Sequence, residues 1–323
     1  LIALLLMIGF YALAVGLALI LLWIPYAEVV YAQRLHFKLA AVCVIGAVLI
    51  LWSILPRRDR FTAPGPELTT EQEPKLFALI REIANATRQR MPRAVYLVPE
   101  VNAWVAQRGG VIGIGGRRVM GIGLPLLAIF RVSELRAVLA HEFGHFHGGD
   151  TGLGRLVYQA RAALMRTVVT LVEHESVLQL PFIWYARLFL WISHAVSRQQ
   201  EYAADRLAAR IVGAKPLVDG LTTVHGAAVA FSSYWSEDVA PVLQAGYRPP
   251  LAEGFRRFVA GPMGSRLLEM AIEAARASGR QDPYDTHPPL PDRIRALEGP
   301  QDGRWSDDDS SSLVLVHDLA GLE

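Results

Sequence analysis

Cysteine is nearly absent from this sequence. Cys43 stands alone among 323 residues, which excludes a disulfide within the chain, and its apolar surroundings point to a packing role. An excess of charge is missing as well. With 32 basic and 30 acidic residues the formal net charge is +2, so there is no basic field of the kind that attracts nucleic acid. Residues 1–24 carry no charge at all. The chain is instead 52% hydrophobic, with the excess gathered locally, and it is long enough for a full globular domain besides. It opens on Leu1 rather than a methionine, and a missing native N-terminus is expected.

The local excess lies in two runs. Residues 1–24 are long enough to cross a hydrocarbon core as a helix, with Trp23 and Tyr26 at the interface, and no signal-peptide cleavage site follows. A polar connector, 25–36, leads to a second run of spanning length, 37–55, with Lys38 able to snorkel. Arg57, Arg58 and Arg60 come next. By the positive-inside rule they place the end of this hairpin, and the rest of the chain, in the cytoplasm. Residues 1–60 are therefore read as a membrane anchor in contact with a lipid bilayer.

Beyond a Pro/Gly linker, Thr70 and Glu73 suggest a capping box, and Leu76, Phe77, Ile80, Ile83 and Ala84 give the following helix one apolar face. Residues 94–98 read as a strand. Residues 102–123 alternate short apolar pieces with glycines and read as two or three short strands with turns near Gly109-Gly110 and Gly115-Gly116. A dinucleotide loop is the lesser alternative, because these glycines do not join a buried strand to a helix start.

Residues 133–150, "SELRAVLAHEFGHFHGGD", read as one buried helix of about four turns, N-capped by Ser133 and closed by Gly148 and Gly149. His141 and His145, four apart, differ by only about 40° around its axis and can reach one metal ion. Glu142 is offset by about 100°, beside the metal rather than on it. In this His-Glu-x-x-His pattern two imidazoles hold zinc and the glutamate takes a proton from water. An accident would bury two histidines and a glutamate without partners, at a few kcal/mol each. His147, about 200° round from His145, points away.

Downstream, 153–176 is helical in pattern. Residues 178–196 are apolar but interrupted by Pro181, Arg187 and His194, and a helix on the membrane or beside the site is favoured over a third span. From Ser197, "SRQQEYAADRLAARIVG" forms a helix with Glu201 and Asp205 on one face. By spacing alone these are as easily a solvated face paired with Arg198 and Arg206 as a third ligand and its neighbour; His194 is a weaker ligand candidate. Residues 215–280 show helices without evident chemistry. His287 precedes a proline-stiffened stretch and a helix starting near Pro291, which suits either a rigidly held donor or a simple connection. Residues 299–323 read as an acidic, solvated tail, whose last stretch could dock as a short helix or strand without a catalytic role.

The motif helix, "SRQQEYAAD" and "DTHPPLPDRI" occur in that order behind the hairpin. Over roughly residues 65–298 the chain resembles the integral-membrane zinc metalloendopeptidases of the HtpX-like and CAAX prenyl protease family, on the HtpX-like side because it has too few spans to enclose a chamber. The resemblance implies an α+β, mostly helical, zincin-type domain over 61–298 with a small mixed sheet. It implies one Zn2+ held by His141, His145 and Glu201, with Glu142 as general base and Asp205 bonded to a zinc histidine. His287 would bind the substrate carbonyl and its oxyanion, and Arg293 would support the same site or the peptide backbone. Asn102 and Ala103 match a strand whose edge pairs with an extended peptide, and Trp104, where Phe is more usual, would reshape a subsite. Protein or peptide substrates, unfolded or membrane-associated, and quality control at a bacterial-type plasma membrane are the implied setting. Two alternatives stay open: a processing protease acting at one site, and a non-catalytic membrane adaptor holding zinc.

Overall fold

The structure, a computed structural model, describes residues 2–55, 61–109, 116–146, 151–278, 287–298 and 308–322. Arg57, Arg58 and Arg60, the turns at Gly110 and Gly115, the expected helix end at 147–149, and segments 279–286 and 299–307 lie outside them. The chain divides into two compact units.

The first unit holds α1 (Ile2–Ala32), α2 (Phe37–Ile54), α6 (Thr151–Glu173) and residues 179–196 of α7 (Gln179–Val212). Its centre is lined by Phe10, Ala14 and Ala18 of α1, Ala47 and Ile50 of α2, Ala163 of α6 and Phe182 and Phe189 of α7. Small residues let these helices approach closely. A Cβ on Gly9 would lie 2.5 Å from the Tyr185 hydroxyl, which donates to the Leu6 carbonyl. The outside is apolar too, with Leu5, Ile8, Leu19, Val42, Val48, Trp184 and Trp191 all exposed. A helix apolar all round belongs in a core or in lipid, and α1 and α2 have the length and composition to cross a membrane.

Two boundaries differ from expectation. Helix α1 continues through Pro25 to Ala32, eight residues beyond the expected end at Ile24. The backbone bond that Pro25 removes is one missing rung in a 31-residue ladder, too little to stop it. Residues 178–196 and the helix expected to begin at Ser197 are likewise one element, α7, because Pro181 falls in the first turn, where no N–H is needed.

The second unit is built on a four-stranded sheet of β1 (Glu67–Leu68), β2 (Ala94–Val98), β3 (Ala103–Arg108) and β4 (Arg117–Gly123), in the order β1-β2-β4-β3. Strand β2 runs parallel to β4 and is buried throughout, as its unbroken AVYLV suggests, while β1 and β3 are antiparallel edges. On one face pack α3 (Pro74–Ala86) and α5 (Val132–Gly144), placing Leu76, Ile80, Ile83, Leu135, Leu139 and Phe143 against Val95, Leu97, Met120 and Ile122. Between β4 and α5 lies α4 (Leu124–Ile129).

Helix α3 starts at Pro74 with Glu73 as its cap, so the Thr70 box does not form; Thr69 and Gln72 bond each other instead. Residues 197–212 of α7 and α8 (Ala214–Tyr234) close the core with Ala208 and Leu217. A π-helical turn, Trp235–Val239, leads to α9 (Ala240–Gln244), α10 (Leu251–Ala260) and α11 (Pro262–Ala277), and α10 and α11 gather with the end of α8 round Phe255 in a smaller cluster. Helix α12 (Leu290–Ala296) follows His287, and the chain ends in a 3-10 turn, Ser312–Leu315, and α13 (Leu319–Leu322).

Candidate active site

Helix α5 begins one residue before the expected Ser133 cap. Arg131 takes that place because its N–H is accepted by the Glu134 carboxylate at 2.8 Å, leaving Ser133 inside the first turn. The helix buries Leu135, Val138, Leu139 and Phe143, and on the Val138 side it brings His141 and His145 together. There His141 Nε2 and His145 Nε2 stand 3.2 Å apart, the rings edge to face. Two imidazole nitrogens so close share either one proton or one cation.

Glu201 reaches the pair from α7. Its Oε2 lies 3.4 Å from His141 Nε2 and its Oε1 3.4 Å from His145 Nε2. The approach depends on Gly144, where a Cβ would meet the Ala204 Cα at 2.9 Å, so the glycine sets how near α7 comes to α5. The residues fit zinc. Bonds of about 2.0–2.2 Å in a tetrahedron have ligand-to-ligand edges of about 3.3–3.6 Å, close to the 3.2 Å between the two imidazole nitrogens and to the 3.4 Å from each of them to one oxygen of the Glu201 carboxylate, which spans the pair. Glu201 Oε2 is buried and accepts no hydrogen bond, a state that a cation would relieve.

Around this centre is a second layer of bonds. Asp205 Oδ1 lies 2.9 Å from His141 Nδ1, accepting its proton and leaving Nε2 free to ligate. Arg293 grips Asp205 with Nε to Oδ2 at 2.8 Å and Nη2 to Oδ1 at 2.6 Å, and its Nη2 is 3.5 Å from Glu201 Oε2. Both Asp205 and Arg293 are buried. His287 is exposed and sets Nδ1 3.1 Å from Glu201 Oε1. Burial alone would depress the His141 pKa, but Asp205 and Glu201 outweigh it and raise it to about 9. Burial and the neighbouring His141 depress His145 to about 4. For Glu201 burial acts upward, yet His141 and His287 hold it well below the carboxylate range.

Glu142 is half-buried beside the pair, one donor atom of each of His141, Glu142 and His145 lying within 4.8 Å of the others. Burial pushes its carboxyl pKa up, against the pull of His141 and a hydrogen bond from the Val105 backbone. That bond locates the free edge of the sheet. Asn102 accepts the Gly123 N–H, so Trp104 and Ala106 turn their main-chain groups to β4, while Ala103 and Val105 turn theirs outward. Sequence reasoning missed Val105, although strand alternation from Asn102 would have put it on the same edge as Ala103. The Trp104 side chain is elsewhere. Its indole covers Gly121, where a Cβ would lie 2.4 Å from the ring, and it packs with Tyr96 and Phe61 on the sheet face away from α5. The structure thus brings together His141, Glu142, His145, Glu201, Asp205, His287 and Arg293, with the Ala103 edge alongside and the Trp104 ring apart.

The sequence profile of Peptidase family M48 matches residues 70–301, a span containing every one of these side chains. The chain belongs to peptidase family M48. It is a metallopeptidase, a hydrolase of a metal-dependent family, and its relatives together with its two apolar helices make it a membrane protein. It is 24% identical to the Protease HtpX homolog of Archaeoglobus fulgidus over 240 residues, 71% of this chain and 68% of that one. Protease HtpX of Alcanivorax borkumensis is 24% identical over 233 residues, 69% and 72% of the two chains. The Protease HtpX homolog of Thermodesulfovibrio yellowstonii is 25% identical over 251 residues, 72% and 77%. No solved structure matches the chain significantly.

Proposed function

We propose that this M48 peptidase is a zinc endopeptidase whose ion is held by His141, His145 and Glu201. The observation that carries this is the carboxylate of Glu201, buried 3.4 Å from both imidazoles with Oε2 lacking a hydrogen bond. When bound, zinc supplies a Lewis acid that polarises a peptide carbonyl and acidifies water. An extended substrate pairs with the outward edge of β3 at Ala103 and at the Val105 carbonyl, next to Asn102, while the Val105 N–H holds Glu142 and Trp104 props the strand from its other face over Gly121. Glu142 takes the proton of the attacking water and returns it to the leaving amine. His287, exposed at the mouth, donates to the developing oxyanion. Arg293 is spent on Asp205, so it acts by orienting His141 rather than on the peptide.

The substrates in this reading are unfolded or membrane-associated proteins, cleaved on the cytoplasmic side of a plasma membrane in quality control. The arginines at 57, 58 and 60 support that orientation. A stripe on α7, Leu180, Trp184, Leu188 and Trp191, is exposed and faces lipid or an apolar substrate.

The test compares wild type with Glu142→Gln in detergent, measuring bound zinc and cleavage of an unfolded protein with and without chelator. Both should bind zinc, and the variant should cleave roughly 10²–10⁴-fold more slowly. Zinc in both with cleavage in neither would favour an adaptor. Equal cleavage by both would remove Glu142 from the mechanism. Orientation is checked by labelling Thr62→Cys in a Cys43→Ser background, where reaction with an impermeant reagent from outside intact cells would reverse it.

A further inference from the structure

The tail read as a solvated linker is built into the start of the active helix. The first N–H groups of a helix have no partners within it, and those of α5 find them in residues 308–312. Val132 N–H donates to the Ser310 carbonyl at 2.9 Å and Ser133 N–H to the Asp308 carbonyl at 3.1 Å. In return Ser312 N–H donates to the Phe130 carbonyl at 2.9 Å, and its hydroxyl donates to the Leu127 carbonyl at 2.7 Å. Ser312 is fully buried. Arg131 forms an antiparallel bridge with Ser311 and an ion pair with Asp309 at 3.1 Å. Further on, His317 N–H donates at 2.6 Å to Glu73, the buried cap of α3, and Leu313, Leu315 and Val316 pack on the core.

One segment therefore ties together the end of α4 and the starts of α5 and α3. Helix α5 is about 20 Å long and carries His141 in its last turn and His145 as its C-terminal cap. A metal centre needs its ligands placed within about 0.5 Å, so a tilt at the first turn is felt at the other end. The Asp309 carboxylate, paired with Arg131, also stands at the positive end of the helix.

We propose that residues 308–317 are a positioning clasp for the active helix, with Ser312 as its anchor: the tail sets the orientation of the two histidines without touching substrate. This rests on the reading that α5 holds the metal.

The experiment uses full-length Ser312→Ala, which removes the hydroxyl bond, and Ser312→Pro, which removes both bonds at the start of a 3-10 turn where proline fits. A chain ending at Leu297 is tested with and without a synthetic peptide of residues 308–322. Zinc affinity, kcat, KM and amide exchange at Val132 and Ser133 are measured, with Phe255→Leu, in the separate Phe255 cluster, as comparator. Assays are run equally far below each variant's melting temperature. Ser312→Pro should lose roughly 10–100-fold in zinc affinity and kcat, with KM held within about twofold and faster exchange at the two amides. Ser312→Ala should lose less, and the peptide should restore the shortened chain. The clasp is overturned if the two amides open while kcat and zinc affinity stay, or if Phe255→Leu loses as much. Should the proline variant or the shortened chain not fold, Ser312→Ala decides by the same readings. A wild type without metal-dependent cleavage would instead sink the reading of the centre itself.

Discussion

Asp205 has two buried partners, and its removal separates ligand orientation from ordinary packing. Asp205→Ala takes the acceptor from His141 Nδ1 and leaves the Arg293 guanidinium buried beside an empty place. Zinc affinity should fall about 10–100-fold and stability by about 3–5 kcal/mol, whereas Asp205→Asn, which still accepts from His141, should recover part of the affinity. A competition titration with a zinc chelator checks this, and equal affinity in Ala and Asn variants would remove Asp205 from the centre. A second residue gives a pH signature away from the metal. Burial raises the Glu134 carboxyl above its usual 4.5, outweighing the hydrogen bond from Arg131 N–H. The folded state then binds its proton more tightly than the unfolded state, so this group's contribution to stability declines as pH rises from the usual value through the raised one. Glu134→Gln keeps an acceptor without the charge and should be at least as stable as wild type at pH 7, the difference closing toward pH 4. Thermal midpoints at the two pH values test it; a variant clearly less stable at neutral pH would mean the helix dipole outweighs burial. His141 and His145 were legible because a four-residue spacing fixes a shared helical face. Glu201 and Asp205 were not legible from spacing, since an acidic pair on a helix is common, and were singled out only by the family resemblance; the fold brings α7 within 3.4 Å of the histidines.

At the level of elements, the spacing of α5 and α7 is set by one atom that is missing. Gly144→Ala would gain about 0.5–1 kcal/mol of helix propensity, but its Cβ would lie 2.9 Å from the Ala204 Cα, and overpacking at about 1–3 kcal/mol exceeds the gain. The strain is relieved by moving α7, which carries Glu201 away. Zinc affinity should thus fall more than stability does, and Ala204→Gly should rescue only in part, because the backbone contact remains. Calorimetric midpoints set beside zinc titrations measure both; loss of stability with affinity intact would show that the helices yield elsewhere. Period and composition made the strands legible: β2 is found at 94–98 as expected, and β3 and β4 form the hairpin expected within 102–123. Helix ends were read less well. Ser133 had the favoured side chain for a cap, but Arg131 takes the place because Glu134 and the tail satisfy the groups around it. The last stretch docks as short helical turns, one of the two forms expected, but its bonds to α5 could not be read, since they are made mostly by backbone carbonyls, which every residue offers.

At the scale of the whole molecule, the first unit presents two different faces. Its inward face is satisfied: Ser53 bonds Thr167 at 2.7 Å, and phenylalanines and alanines fill the middle. Its outward face has no such closure, and on α7 the exposed residues Leu180, Trp184, Leu188 and Trp191 recur at steps of four, four and three, a single helical stripe. Arg187 interrupts the stripe, but its guanidinium lies 5.3 Å from the Trp184 ring centre, an arrangement that eases the cost of a charge near lipid and lets the head reach the interface. Two helices long and apolar enough to span were legible from length and apolarity alone; residues 178–196 read as a helix on the membrane or beside the site, but the stripe itself did not show, because averaging over them mixes its apolar side with Arg187 and His194. Tryptophan reports on this directly. In vesicles with brominated acyl chains, single-tryptophan variants retaining Trp184 or Trp191 should be quenched as strongly as one retaining Trp52 of α2, while Trp235, in the second unit, should not be. Quenching of Trp184 and Trp191 no greater than that of Trp235 would put the stripe in water, and its apolar residues would then be left for a substrate to cover.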